Sequence, residues 1–441
     1  MTVASLCNDI LVLAVFLLVG FFVRELCKPL QKLFLPSSLI GGLILLLLGQ
    51  QILGVVEVPE SFGSIPSVMI DIVMAATVFG VSINRKKLGS YLDYSCMTMT
   101  SYGMQLGLGV LLGWLLQKIW PGLPDGWGVM GVFSFHGGHG TAAAAGAAFE
   151  KLGIEGNMAV GMVLSTLGLI VAMLVGMIMV NFGIRRGWGT YVKEPKKQPD
   201  YFYGGVLPEE KRVASGHTVT TGISINHLAL QVAWLLTALF IGRKLFGFLG
   251  AYIPFFNELP SVLHGIFGGA ILWQFLKATK LERYVDLKTI KMASGFCLEI
   301  TVFTAMATLD MEFVSTYIVP VLIYTVILAV LTVPIIFYLA YRFCREEWFE
   351  KACMAFGAAT GNTSTGLALV RAVDPDSLSS AGDTHGVYSA IMSWKDVFVG
   401  LTPIWLTSGI GLTCGVGFAM MFGFAAFGFI FFARKNKPTA A

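Results

Sequence analysis

Gly137-Gly138-His139-Gly140-Thr141 puts three glycines, a histidine and a hydroxyl into a stretch otherwise rich in alanine. A helix interior tolerates this poorly, because each glycine costs ~1 kcal/mol relative to alanine. A break there would expose backbone N–H groups, which attract anions, and carbonyls, which can ligate sodium. Further along, Gly361-Asn362-Thr363-Ser364-Thr365 offers a second break with a cluster of hydroxyls suited to a hard cation or a carboxylate. The competing reading is that Gly, Ala and Thr merely let membrane helices approach closely. Their occurrence at two equivalent places in the chain favours binding. His136-x-x-His139 lacks the glutamate and spacing of a zinc helix and has no nearby acid to complete a site, so no transition metal is expected. His139 reads as a hydrogen-bonded structural residue or one that touches substrate.

These groups sit in a chain that is 56% hydrophobic and 13% charged, so an ionisable residue at membrane depth is costly and marks function. Asp71, Glu299 and Asp396 lie in apolar stretches. Asp396 is the leading sodium or proton ligand, with Asp71 beside it and the Thr365 hydroxyl as a third sodium ligand. The alternative for Asp396 is an ion pair with Lys395 or a neighbouring helix. Arg371 could receive a substrate carboxylate or anchor at the membrane interface. The seven cysteines are scattered without a C-x-x-C pair, so they read as packing residues.

The elements that must position these residues repeat. Pro36-Ser37-Ser38-Leu39-Ile40-Gly41 returns as Pro260-Ser261-Val262-Leu263-His264-Gly265, an offset of 224 (260 − 36). Thr77-Val78-Phe79 returns as Thr301-Val302-Phe303, and Gly137 and Thr141 align with Gly361 and Thr365 at the same offset. Two related halves in so apolar a chain suggest a transporter with its binding site between them. Apolar runs predict helices near 8–23, 30–55, 64–83, 98–120 and 157–184, then 226–249, 259–276, 291–309, 314–341 and 386–408, with an extra stretch at 410–432. Segments 126–150 and 351–374 are too short for two crossings of ~20 residues each.

Charge placement orients the spans. Arg24, Lys28, Lys32 and Arg85-Lys86-Lys87 follow the first and third helices, and Glu57 and Glu60 lie between the second and third. The positive-inside rule then puts the N-terminus outside and the C-terminus, with Arg434, Lys435 and Lys437, in the cytoplasm. Asp310 and Glu312 fall outside, and Arg243-Lys244 stands as a local exception at an outer end. The first apolar stretch reads as a transmembrane helix and not a cleaved signal. The expected fold is an all-α polytopic membrane protein of two inverted-topology repeats, each with five transmembrane helices and one re-entrant hairpin. The first repeat spans 1–184 with hairpin 126–150, and a cytoplasmic linker spans 185–225. The second repeat spans 226–409 with hairpin 351–374, and an extra C-terminal helix and tail occupy 410–441.

The chain resembles the bacterial sodium/glutamate symporters. The likeness is carried by Ser134-x-x-Gly137-Gly138-His139-Gly140-Thr141, by Gly361-x-Thr363-x-Thr365, and by Pro36 through Gly42, with Asp71 and Asp396 where the family carries aspartates. It implies an inverted-repeat fold, sodium-coupled glutamate uptake, and hairpins at the translocation site. Ser134, Gly137, Gly138, His139, Gly140, Thr141, Gly361, Asn362, Thr363, Ser364, Thr365 and Arg371 are the substrate-binding candidates. The second hairpin is more hydroxylated and less glycine-rich than the family pattern.

The expected protein is therefore a secondary active transporter in the bacterial inner membrane, not an enzyme. It would use alternating access to couple sodium influx to uptake of a small anionic amino acid, glutamate foremost. The alternative is a sodium-coupled carboxylate transporter or a sodium/proton antiporter of similar fold. Neither a P-loop nor a nucleophile–base pair is present to suggest ATP-driven transport or catalysis. Expected partners are the small substrate, sodium as coupling ion and the lipid bilayer, with no organic cofactor and no nucleic acid, and with a homodimer left open.

Overall fold

A computed structural model describes residues 3–32, 35–80, 88–192, 208–212, 214, 216–221, 223–253, 256, 261–309, 311–374 and 378–433. The helices are α1 (Val3–Leu26), α2 (Lys28–Lys32), α3 (Ser37–Leu48), α4 (Ile65–Thr77), α5 (Leu88–Ile119), α6 (Met130–Lys151), α7 (Asn157–Arg185) and α8 (His227–Tyr252). There follow α9 (Ser261–Ala278), α10 (Leu287–Ala307), α11 (Met311–Phe343), α12 (Trp348–Thr360), α13 (Thr363–Val373), α14 (Ala381–Ile391), α15 (Val397–Thr407) and α16 (Gly411–Phe431). Among the described residues, seven helices are long and apolar enough to cross a membrane: those containing 5–26, 91–119, 157–185, 227–252, 287–307, 314–343 and 411–431. The chain is thus an all-helical, multi-pass membrane protein.

Three expected spans come out shorter or broken. The run 30–55 holds the end of α2 and then α3, which is 12 residues or about 18 Å of rise. Pro36 precedes it, and Gly49, with φ −69° and ψ 172°, ends it. The run 64–83 yields the 13 residues of α4, followed by a turn at Gly80 with φ +79°. The run 386–408 divides into α14, a 3-10 turn over Ser393–Asp396, and α15. Apolar composition favours burial of a segment, but it cannot keep backbone helical through Pro, Gly and polar interruptions. The basic residues Arg85, Lys86, Lys87, Lys193, Lys196, Lys197, Arg434, Lys435 and Lys437, together with Pro260 and Asp310, lie outside the described residues.

Packing sorts the helices into two groups, each drawn from both halves of the chain. Helices α1, α3, α4, α8, α9 and α10 pack together, and α5, α6, α7, α11, α12, α13, α14 and α16 form the other group. Within the first group α3 packs on α10, and α9, its counterpart in the 224-residue repeat, packs on α4. A Cβ on Gly42 would stand 2.6 Å from the Phe303 carbonyl, and one on Gly269 would stand 2.5 Å from the Ala75 carbonyl. Gly42 and Gly269, though not equivalent in the repeat, are therefore where helices from opposite halves touch backbone to backbone, as small residues allow in membranes. In the second group α5 is central: 72% of its apolar window is buried, against 11% for α1. The C-terminal α16 packs along α5, with Gly103, Gly107 and Gly417 at the crossing.

The linker 185–225 is anchored at both described ends. Thr190 donates its N–H and hydroxyl to Glu350 at 2.7 and 3.1 Å, and the Tyr191 hydroxyl donates to Glu347. At the other end the His217 N–H donates to Asp286 at 3.0 Å.

Candidate functional site

Backbone chemistry builds the centre of the second group. Helix α6 is broken at Gly138, whose φ of +63° and ψ of −157° belong to no helix. The chain reverses there: Met130 Cε and Ala142 Cβ lie within 2.5 and 3.1 Å of a Cβ placed on Gly161. In a straight helix the Cα atoms of residues 130 and 142 would stand about 18 Å apart. Helices α12 and α13 reverse likewise at Gly361 and Asn362, so that a Cβ on Gly357 would stand 2.6 Å from the Gly366 Cα. Asn362 and Thr365 close this turn with a capping box. The Asn362 side chain accepts from the Thr365 N–H at 2.9 Å, and the Thr365 hydroxyl accepts from the Asn362 N–H at 3.0 Å. The same hydroxyl lies 2.8 Å from the Gly357 carbonyl, tying the two arms together.

The two reversals meet. The Gly361 carbonyl oxygen lies 3.2 Å from where a Cβ on Gly138 would stand, with Asn362 Cβ at 3.7 Å. Each tip joins the C-terminus of one short helix to the N-terminus of the next, so carbonyls and N–H groups both converge here. Helix α7 runs past both tips. Ser134 donates to the Gly161 carbonyl at 2.9 Å, His139 Nε2 lies 3.1 Å from the Thr166 hydroxyl, and Gly168 admits the Thr360 carbonyl.

The substrate-binding candidates separate along these arms. Gly137, Gly138, His139, Gly140, Thr141, Gly361, Asn362, Thr363 and Thr365 stand at or within a turn of the tips, Gly137 and Thr363 being exposed. Ser364 is in the first turn of α13. Ser134 is buried within the first arm, and Thr141 Oγ1 is buried without a hydrogen-bond partner among the described residues. Arg371 is in the last turn of α13, about 12 Å of helix rise from Thr363, and is exposed. It lies away from the tips.

The sodium candidates already hold other partners. Asp71 is buried, with Arg243 Nη2 at 3.3 Å and the Ser261 hydroxyl at 3.0 Å, so the basic residue that stood as an exception has an acidic partner. Asp396 Oδ1 lies 3.0 Å from Lys395 Nζ at the start of α15, not in mid-helix. The Thr365 hydroxyl is committed to the cap.

Four neighbours of the tips, Tyr94, Tyr102, Gln105 and His385, were given no role in the sequence reading. His385 Nδ1 lies 2.9 Å from the Tyr94 hydroxyl, and its Nε2 lies 3.4 Å from the Thr363 hydroxyl. The Tyr102 and His136 rings are 5.2 Å apart, and Lys395 Nζ lies 5.9 Å from the Tyr102 ring centre. Gln105 Nε2 donates to the Ala359 carbonyl at 3.0 Å. A signal was present: Tyr94, Thr98, Ser101 and Gln105 recur at helical spacing inside an apolar span.

The arrangement offers an apposed pair of helix breaks, rich in unshielded backbone dipoles and hydroxyls, inside a membrane bundle. It suits reversible binding of a small charged solute, since dipoles and hydroxyls bind without covalent chemistry. Residues 4–374 match the family described as sodium/glutamate symporter. The match ends before α14, Lys395-Asp396 and α16. No curated protein matches the chain.

Proposed function

The chain belongs to the sodium/glutamate symporter family, and its function is sodium-coupled transport of glutamate; from that premise we propose where and how this is done. The substrate sits between the two tips, against Gly137 to Thr141 on one side and Gly361 to Thr365 on the other. Its carboxylates face the N-terminal ends of the arms beginning at His139 and Thr363, where N–H groups and the helix dipole favour negative charge. The observation that supports this most is the apposition of Gly138 and Gly361. Non-helical backbone at membrane depth is tolerated where it is buried in protein or lines a wet cavity.

Segments 126–150 and 351–374 are, in this reading, re-entrant hairpins entering from opposite faces, outer and cytoplasmic, in two inverted repeats of a bacterial inner-membrane protein. The N-terminus is outside and the C-terminus is in the cytoplasm. Alternating access comes from movement of the hairpin-bearing group against the group of α1, α3, α4, α8, α9 and α10. Asp71 and Asp396 act as counter-ions to Arg243 and Lys395. Arg371 anchors the base of the second hairpin.

The test is uptake and counterflow of labelled glutamate in proteoliposomes, with an inward sodium gradient and a panel of amino acids and dicarboxylates. Sodium-dependent counterflow of glutamate is expected. A protein that exchanges only cations would show none, and that result would remove the substrate from the tips.

A further inference from the structure

We propose that the Ser101 hydroxyl and the Gln105 amide oxygen, on the buried face of α5, together with the carbonyl end of α12 at Ala359, hold the coupling sodium ion. This rests on the sodium-coupled function above and assigns the ion a place other than the acidic side chains.

Tyr94, Thr98, Ser101 and Gln105 lie three or four residues apart, so they share one face of α5. Both ends of this stripe are tied to the second tip. Tyr94 reaches His385, which neighbours Thr363, and Gln105 reaches the Ala359 carbonyl. Ser101 lies between those two ties along α5, one turn before Gln105.

The orientation of the Gln105 amide is set by its surroundings. Its Nε2 faces two acceptors at 3.0 Å, the Ala359 carbonyl and the Thr332 hydroxyl, whose own hydrogen goes to the Leu328 carbonyl. That leaves Oε1 buried, with no donor among the described residues. Ser101 is unusual on its own helix. Ser95, Thr98 and Thr100 each donate to the carbonyl four residues back, at 2.6, 3.0 and 2.7 Å, whereas Ser101 Oγ is fully buried with no such partner. Buried polar atoms are rarely left unpaired. Two such oxygens one turn apart, beside a helix C-terminus that carries partial negative charge, form the neutral hard-oxygen environment in which transporters hold sodium.

The test is the thermal-unfolding midpoint of the purified full-length protein in detergent, without glutamate, in sodium chloride and in choline chloride of equal ionic strength. A ligand that binds the folded state raises the midpoint with the logarithm of one plus its concentration over Kd, so the concentration at which the rise sets in reports the affinity. Sodium is expected to raise it in the wild type. Ser101→Ala, which removes one ligand, is expected to shift the half-effective sodium concentration upward on the order of ten-fold. Ser101→Cys keeps the side-chain shape and is read in the same way if the alanine variant does not fold. An unchanged sodium dependence in either variant overturns the site. Equal midpoints in the two salts for the wild type also overturn it, as a buried water alone would give. If sodium-driven glutamate uptake persists in either case, the transport function stands without this site.

Discussion

Gly138 and Gly361 face each other across the centre of the protein, the Gly361 carbonyl lying 3.2 Å from the position of a Gly138 Cβ. Only Gly138 of this pair has a positive φ, +63°, while Gly361 is at −135°. The first tip thus needs glycine for its backbone as well as for the close approach.

Gly138→Ala would force a side chain into a backbone region essentially restricted to glycine, at a cost on the order of 1–3 kcal/mol, and press a methyl group on the second tip. Sodium-driven glutamate uptake is expected to fall by roughly ten-fold or more at equal amounts of folded protein. Gly153→Ala is the control, because Gly153 has φ +77° with nothing within 4 Å of a Cβ. It too has a positive φ and should leave uptake near wild type. Equal uptake losses in both would mean that strain alone is responsible.

Thr365→Val removes the hydroxyl that accepts from the Asn362 N–H and faces the Gly357 carbonyl. Losing a helix cap of this kind costs about 1–2 kcal/mol. The expected outcome is a lowered unfolding midpoint and faster proteolysis near residue 361, measured with and without glutamate. A variant as stable as wild type would show that the cap is not what holds α12 against α13.

Asp71→Asn leaves Arg243 without its counter-ion, although Arg243 is half-exposed and can turn to solvent. The loss should therefore fall below the ~3–5 kcal/mol of a fully buried broken pair. Combining it with Arg243→Gln should cost less than the two single changes added together. Sodium activation of uptake should keep its concentration dependence in Asp71→Asn. A shift of ten-fold would instead make Asp71 a sodium ligand.

Lys395→Met isolates the Asp396 carboxylate beside the Tyr102 ring and is expected to lower expression and stability. The double variant Lys395→Met with Asp396→Asn should recover most of that loss, since neither charge is then left alone. Failure of the double variant to recover would assign the pair a role beyond mutual neutralisation.

Glu347 gives a pH dependence with a definite sign. Partial burial would raise its carboxyl, but hydrogen bonds from Ser380 and Tyr191 outweigh this and hold it below its ordinary value of 4.5. A depressed carboxyl contributes stability that is present above 4.5 and disappears as pH falls through the folded value. The midpoint difference between wild type and Glu347→Gln should accordingly be level around neutral pH and shrink below pH 4.5. A difference that grows on acidification would contradict the bonding of Glu347 to Ser380 and Tyr191.

Much of this protein was legible from residue types alone, because the relevant physics is local. Apolar composition marked a multi-pass membrane chain, and the glycines of 137–140 and 361 marked the places where helical backbone would fail. Membrane-helix lengths were less legible, because hydropathy does not register the interruptions at Gly49 and at Ser393–Asp396 that end these helices. Partners in space were not legible at all. Asp71 meets Arg243 across 172 residues of chain, and Tyr94 meets His385 across 291. An isolated aspartate in an apolar run reads as a free ligand until its counter-ion is seen. The sequence determined that two helix breaks exist and where they fall, since a glycine's backbone freedom belongs to the residue itself. That the breaks abut, and that α5 turns a polar face toward them, was decided only by tertiary packing, because burial is non-directional and does not specify which surfaces meet.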